Sequence, residues 1–109
     1  MNLDFATKDL RKLCETEKLA KKELGAPVAK KLKSRLADIV AAKRVGDLVV
    51  GKPHPLKGNR LGQFSLTLHR GIRLVFEPMM DEVPTTDDGS INWPEVTGIN
   101  ILFIGDYHD

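Results

Sequence analysis

The chain has 109 residues, 41% of them hydrophobic and 29% charged, with one cysteine and a net charge of +2. That length suits one small domain with a modest buried core, and that hydrophobic share excludes a disordered tail. No apolar run is long enough to span a membrane, no basic segment followed by an apolar one opens the chain, and the lone Cys14 excludes an internal disulfide, so a cytoplasmic setting is expected.

The small net charge hides an asymmetry. All 17 lysines and arginines lie at or before Arg73, where seven acids accompany them, so residues 1–76 carry +10. The eight remaining acids give residues 77–109 a charge of −8. A basic front of that size is an electrostatic footprint for a polyanion, and it is equally the pattern of a lysine-rich solvated helix surface.

In chain order, Leu3 to Ala6 reads as a short first strand. Thr7 is placed as an N-cap, with Asp9 in the favourable first turn. Leu10, Leu13, Cys14, Ala20 and Leu24 recur at roughly helical spacing and predict one helix, with Cys14 as a small core hydrophobe. Gly25 is placed to end it in a left-handed conformation, and Pro27 to open the next helix. Val28, Leu32, Leu36, Ile39 and Val40 form the second apolar stripe, with Lys30, Lys31, Lys33 and Arg35 largely off it. So short a connection predicts a helical hairpin whose apolar faces need a sheet.

That sheet is expected downstream. Asp47 to Val50 reads as a short strand, and Gly51 to Gly62 as a loop punctuated by Pro53, Pro55, Gly58 and Gly62. Phe64, Leu66 and Leu68 alternate with Ser65, Thr67 and His69, the period of a half-buried strand. A three-residue loop, His69-Arg70-Gly71, would pair Phe64 with Phe76 and set Arg73 beside Thr67 and Ser65, with Gly71 left-handed. From Pro78 to Pro94 the chain is acidic and turn-rich, with a small hairpin expected at Asp88-Gly89 and Trp93 tucked against the body. Ile99 to Ile104 matches a strand buried on both faces, after which Gly105 releases Asp106, Tyr107 and His108.

The segment His54-Pro55-Leu56-Lys57-Gly58-Asn59-Arg60-Leu61-Gly62-Gln63-Phe64-Ser65, the strand arginine Arg73 before Leu74-Val75-Phe76, and the closing Asp106-Tyr107-His108 together resemble HigB-like toxins of the RelE/ParE superfamily. The resemblance covers most of the chain and is closest over residues 53–76 and 99–108. It implies an α+β fold, an N-terminal helical hairpin packed on a small, mainly antiparallel sheet, as one domain over residues 1–109 with residues 77–95 as an acidic surface excursion. It also implies a type II toxin that cleaves messenger RNA on the ribosome without metal or other cofactor, and that a cognate antitoxin, usually of helix-turn-helix type, silences. Carried over by position, the catalytic candidates are His54, Lys57, Arg73 and His108, and the RNA-binding candidates Arg60 and Tyr107. Three departures stand out: Thr67 replaces an arginine frequent in relatives, Ile72 replaces a tryptophan, and the excursion from Glu77 to Glu95 is long.

The residue types fit that chemistry independently. RNA carries its own nucleophile, the 2′-hydroxyl, so a catalyst needs only to deprotonate it, stabilise the phosphorane and protonate the leaving 5′-oxygen. Histidine serves either proton transfer near neutral pH, and the planar guanidinium of Arg73 matches phosphate oxygens. Lys57 and Arg60 can hold the backbone, and Tyr107 can stack a base or cap the core. No metal-binding spacing surrounds His54 or His108, and no phosphate-loop pattern includes Gly58 and Gly62. Two other readings stay open: a gyrase-binding inhibitor of the same fold, and a degenerate binding module with Thr67 where arginine is expected.

Overall fold

In the computed structural model, which describes residues 1–107, the alternating stretch around residues 64–76 becomes the middle of a five-stranded sheet. Its strands are β1 (Asn2–Phe5), β2 (His54–Pro55), β3 (Phe64–His69), β4 (Ile72–Pro78) and β5 (Gly98–Gly105), in spatial order β1-β5-β4-β3-β2. All neighbours run antiparallel except β1, which lies parallel to β5. Three helices, α1 (Lys8–Glu15), α2 (Glu17–Leu24) and α3 (Ala26–Ala41), precede the sheet's main body. The architecture is the expected α+β one, helices packed on a mainly antiparallel sheet.

Helix starts follow the local chemistry. The Thr7 hydroxyl accepts the Leu10 amide at 3.1 Å and caps α1, with Asp9 in the first turn. The predicted single helix is instead two. Thr16, at φ −117° and ψ 100°, closes α1 and opens α2, so the chain bends there while the apolar stripe runs on. Gly25 takes φ +87° with ψ 155°, a region open to glycine, and α3 starts with Pro27 in its first turn. α3 buries Val28, Ala29, Leu32 and Ile39, whereas Val40, assigned to the stripe from sequence, is 63% exposed.

One contiguous core holds these layers together. Phe64, Leu66, Leu68, Leu74, Phe76, Ile99 and Ile101 meet Val28, Leu32 and Ile39 from α3. Phe64 and Phe76 stack at 5.3 Å between centroids, and Trp93 covers both at 4.9 and 6.2 Å. Burial of such side chains, at roughly 1.5–3 kcal/mol each, is what fixes the sheet register.

The β3–β4 hairpin reaches the expected register by another route. Phe64 faces Phe76 and Thr67 faces Arg73, yet His69 pairs with Ile72, so the loop is only Arg70-Gly71. A bulge at Leu68 absorbs the extra residue and restores the parity. The positive φ falls on Arg70 (+53°), not on Gly71. Gly71 is needed for a different reason: a Cβ there would meet the Asp106 carboxylate at 3.0–3.2 Å.

Two further expectations are corrected. Asp47 to Val50 is no strand: residues Val45–Asp47 form a 3-10 turn, and Val49 is 81% exposed. Their hydrophobicity lacks a strand partner, because Gly51 and His54–Pro55 occupy the open edge of β3. β5 is buried on one face only, at Ile99 and Ile101, while Leu102, Phe103 and Ile104 remain partly exposed. The acidic segment does form a small hairpin, with Thr85 bridged to Ile91 and Gly89 at φ +85°.

Candidate active site

The sheet face away from the helices is built in rows. Cross-strand partners project side chains to the same side, so His54, Ser65, Val75 and Phe103 form one row and Thr67, Arg73 and Gly105 the next. The loop between β2 and β3 folds onto this face. Its ends are tied by Leu56 N donating to the Gln63 carbonyl at 2.9 Å, and outside them Thr67 N donates to the Gly51 carbonyl at 2.7 Å. Gly58 (φ +60°) and Gly62 (φ +90°) allow the 3-10 turn Gly58–Arg60 between those ties.

His54 is exposed on β2, and its Nδ1 lies 2.7 Å from the Lys52 carbonyl oxygen. A carbonyl only accepts, so the neutral ring carries its proton on Nδ1 and keeps the lone pair on Nε2. That is the tautomer a general base needs. The carbonyl is aimed there by Lys52 itself, held at φ +50°, an uncommon conformation for a residue with a side chain.

Arg60, Arg73 and Tyr107 come together at the other end of the face. The Arg60 guanidinium sits 4.5 Å from the Tyr107 ring centroid and 5.1 Å from that of Phe103, and Nη1 donates to Gln63 Oε1 at 3.3 Å. The Arg73 guanidinium is 6.0 Å from the Tyr107 ring and donates to the Arg70 carbonyl at 3.4 Å. Phe103 meets Tyr107 edge-on at 6.4 Å. One phenol ring is thus flanked by two guanidinium groups, an arrangement that spaces positive charge around a position suited to a phosphate.

The two halves do not touch. With strands about 4.8 Å apart and two residues spanning about 6.8 Å, the backbone of His54 lies roughly 12 Å from that of Arg73. Lys57 is exposed at the start of the 3-10 turn, on the rim rather than in the row with Arg73. His108 lies outside the described residues. Thr67, in place of an arginine, leaves the β3 end of the second row short and uncharged beside Arg73.

Sequence reasoning missed the parts played by Phe103 and Gly105. Phe103 looked like one more apolar residue of a buried strand, although its partner Val75, two residues from Arg73, placed it on the site face. A Cβ on Gly105 would strike the Phe103 ring at 2.8 Å, so this glycine makes room for the ring that supports Arg60. Ser65 lies fully buried in the first row, and its Oγ has no hydrogen-bond partner among the described residues. Among those residues no group of three histidines, cysteines or acids is placed to hold a metal ion, and no helix is long and apolar enough to cross a membrane.

No protein-family model matches the chain, and no curated protein matches it in sequence. Solved structures do match in shape. The YoeB/ParE toxin from Agrobacterium tumefaciens superposes with a TM-score of 0.59 at 16% identity, covering 99% of this chain and 100% of that one. The YoeB-YefM complex from Staphylococcus aureus gives 0.55 at 22% identity, covering 100% and 98%. The YoeB dimer from the same organism gives 0.52 at 22% identity over the same shares. The chain therefore has the fold of the YoeB/ParE toxins across its whole length.

Proposed function

We propose that the chain is the toxin of a bacterial type II toxin–antitoxin pair, a HigB-like endoribonuclease that cuts messenger RNA on the ribosome in the cytoplasm without a metal. The observation that carries this reading is one sheet face holding both a histidine whose Nδ1 meets a backbone carbonyl and two guanidinium groups that flank the Tyr107 ring. A gyrase-binding surface needs no such acid–base set.

In the proposed reaction His54 Nε2 takes the proton of the 2′-hydroxyl as that oxygen attacks the adjacent phosphorus. Arg73 stabilises the charge gathered on the equatorial phosphate oxygens, and Arg60 and Lys57 hold the flanking backbone. His108 is proposed to return a proton to the departing 5′-oxygen, leaving a 2′,3′-cyclic phosphate and a 5′-hydroxyl. Tyr107 supports a base by stacking. The ribosome supplies substrate order, which compensates for the missing arginine at Thr67. A cognate antitoxin is the proposed partner; the solved complex of YoeB with YefM, of the same fold, supports that pairing.

The test is to map new 5′ ends of messenger RNA after brief induction, for this chain and for Arg73→Ala. Cuts within translated codons that disappear in the variant are the expected result. Growth arrest without new ends would sink the nuclease reading in favour of gyrase inhibition. Neither arrest nor new ends would leave a binding module.

A further inference from the structure

Arg35 stands apart from the lysines it accompanies on α3. Its side chain is 12% exposed, whereas every other side chain in an ion pair among the described residues is 45% exposed or more. Nε lies 2.9 Å from Asp38 Oδ2, yet it is buried without a hydrogen bond, so the contact is ionic only. Burying that nitrogen unsatisfied costs hydration. What the burial provides is a place for the stem. A Cβ added to Gly51 would lie 3.4 Å from Arg35 Cδ, 3.1 Å from the Thr67 carbonyl oxygen and 3.5 Å from Leu66 Cβ. The turn that leads into β2 therefore rests in a seat made by β3 and by the methylenes of Arg35.

That turn has few fastenings of its own. Gly51 and Lys52 both take positive φ, +95° and +50°, and the second is a conformation that a side chain disfavours. Pro53 and Pro55 have no amide to donate. The Gly51 carbonyl accepts the Thr67 amide and His54 pairs with Ser65, but between them no backbone bond among the described residues holds Lys52. Its carbonyl oxygen nevertheless lies 2.7 Å from His54 Nδ1 and decides where that ring carries its proton.

We infer that Arg35 is a positioning residue for His54. Its stem props the Gly51–Lys52 turn, and the turn aims the Lys52 carbonyl that keeps the proton on Nδ1 and the lone pair on Nε2. The use of that lone pair rests on the nuclease reading; the support of the turn does not. Arg35 comes from the helix side of the sheet, whereas His54 belongs to the face away from the helices, so the effect passes through the backbone. An imidazole in water prefers its proton on Nε2. A carbonyl that drifts from Nδ1 therefore lets the ring revert and turns the lone pair to the wrong side. The reach of the stem decides the effect. Lysine and methionine also place an atom at the δ position, and valine and alanine do not.

The test reads the ring itself. The full chain is made with isotope-labelled histidine, and the imidazole nitrogens of its three histidines are recorded by NMR where the rings are neutral. Loss of one set of signals in His54→Ala assigns His54. The Nδ1–H form is expected to dominate there in the wild type, in Arg35→Lys and in Arg35→Met. Arg35→Ala is expected to invert the ratio, with His69 unchanged as the internal reference. Arg35→Val, which keeps bulk on α3 but has no δ atom, gives the same reading where the alanine variant fails to fold. Single-turnover cleavage on ribosomes at saturating messenger RNA should fall about tenfold, in step with the competent tautomer, while the half-saturating concentration stays the same. An unmoved tautomer in the folded alanine or valine protein would overturn the inference. So would an inverted ratio in Arg35→Met, because charge and not the stem would then support the turn. The two readings fail separately. A tautomer that shifts in a chain that cuts no RNA removes the nuclease and keeps the role of Arg35, whereas cutting with an unmoved tautomer removes that role and keeps the nuclease.

Discussion

Two side chains on the site face illustrate how far a residue's role depends on its neighbours' backbone. His54 could be picked out from its setting beside Lys57 and Arg60, but its tautomer could not. That is decided by the Lys52 carbonyl, which reaches Nδ1 only because Lys52 adopts φ +50°. His54→Ala is expected to lower single-turnover cleavage by about 10²–10⁴-fold, the usual worth of one general base, with the circular dichroism spectrum unchanged. Ser65 makes the opposite case. Its alternation with Phe64 and Leu66 put it on the polar face, and no sequence signal foretold that the face would be sealed there. A buried hydroxyl without a partner is a liability, so Ser65→Ala is expected to raise unfolding stability by about 1 kcal/mol in urea melts. A fall in stability would mean that the hydroxyl is satisfied in solution. Phe103 and Gly105 stayed hidden in the sequence because apolar residues of β5 serve the core on one face and the site on the other.

Among the elements, β3 and β4 were legible because alternation over residues 64–76 is long and the register buries every apolar partner. The bulge at Leu68 was not legible. A three-residue loop and a two-residue loop with a bulge give the same pairing, and only the backbone of Arg70 distinguishes them. The break at Thr16 was invisible for a similar reason, since bending α1 against α2 leaves the apolar stripe facing the same core. Caps were more readable: Thr7→Ala, which removes the hydroxyl that accepts the Leu10 amide, should cost about 1 kcal/mol in thermal or urea unfolding. Between α1 and the core, burial and then the Glu15 charge push the Cys14 thiol from 9.0 up to about 12. Below the unfolded-state value the thiol is neutral in both states. As pH rises from about 9 toward 12 only the unfolded chain releases its proton, so stability falls across that window. Urea midpoints of the wild type should therefore decline more steeply above pH 9 than those of Cys14→Ala. Equal slopes would show that the thiol ionises freely in the folded protein.

For the molecule as a whole, the charge division survives folding in part. Arg44 reaches Glu95 at 3.1 Å, and Glu17 contacts both Lys21 and Lys33, but these are exposed pairs that salt screens. RNA affinity is accordingly expected to fall linearly in log–log plots against salt, and replacing Lys30, Lys31 and Lys33 by glutamine should flatten the slope. An unchanged slope would assign RNA contact to the site loop alone. The sheet order has a further consequence, for the timing of folding. β5 is inserted between β1 and β4, so the first strand has no partner until residues 98–105 exist. While the chain is being made, α1 to α3 and the β3–β4 hairpin can form from nearby residues, but β1 must wait and then close a loop of nearly the full chain length. The same late strand carries Phe103 and leads into Tyr107, the supports of the two guanidinium groups. The proposed site thus waits for β5, and a nascent chain stalled before residue 98 would hold the His54 loop without the strand that carries Phe103 and leads into Tyr107.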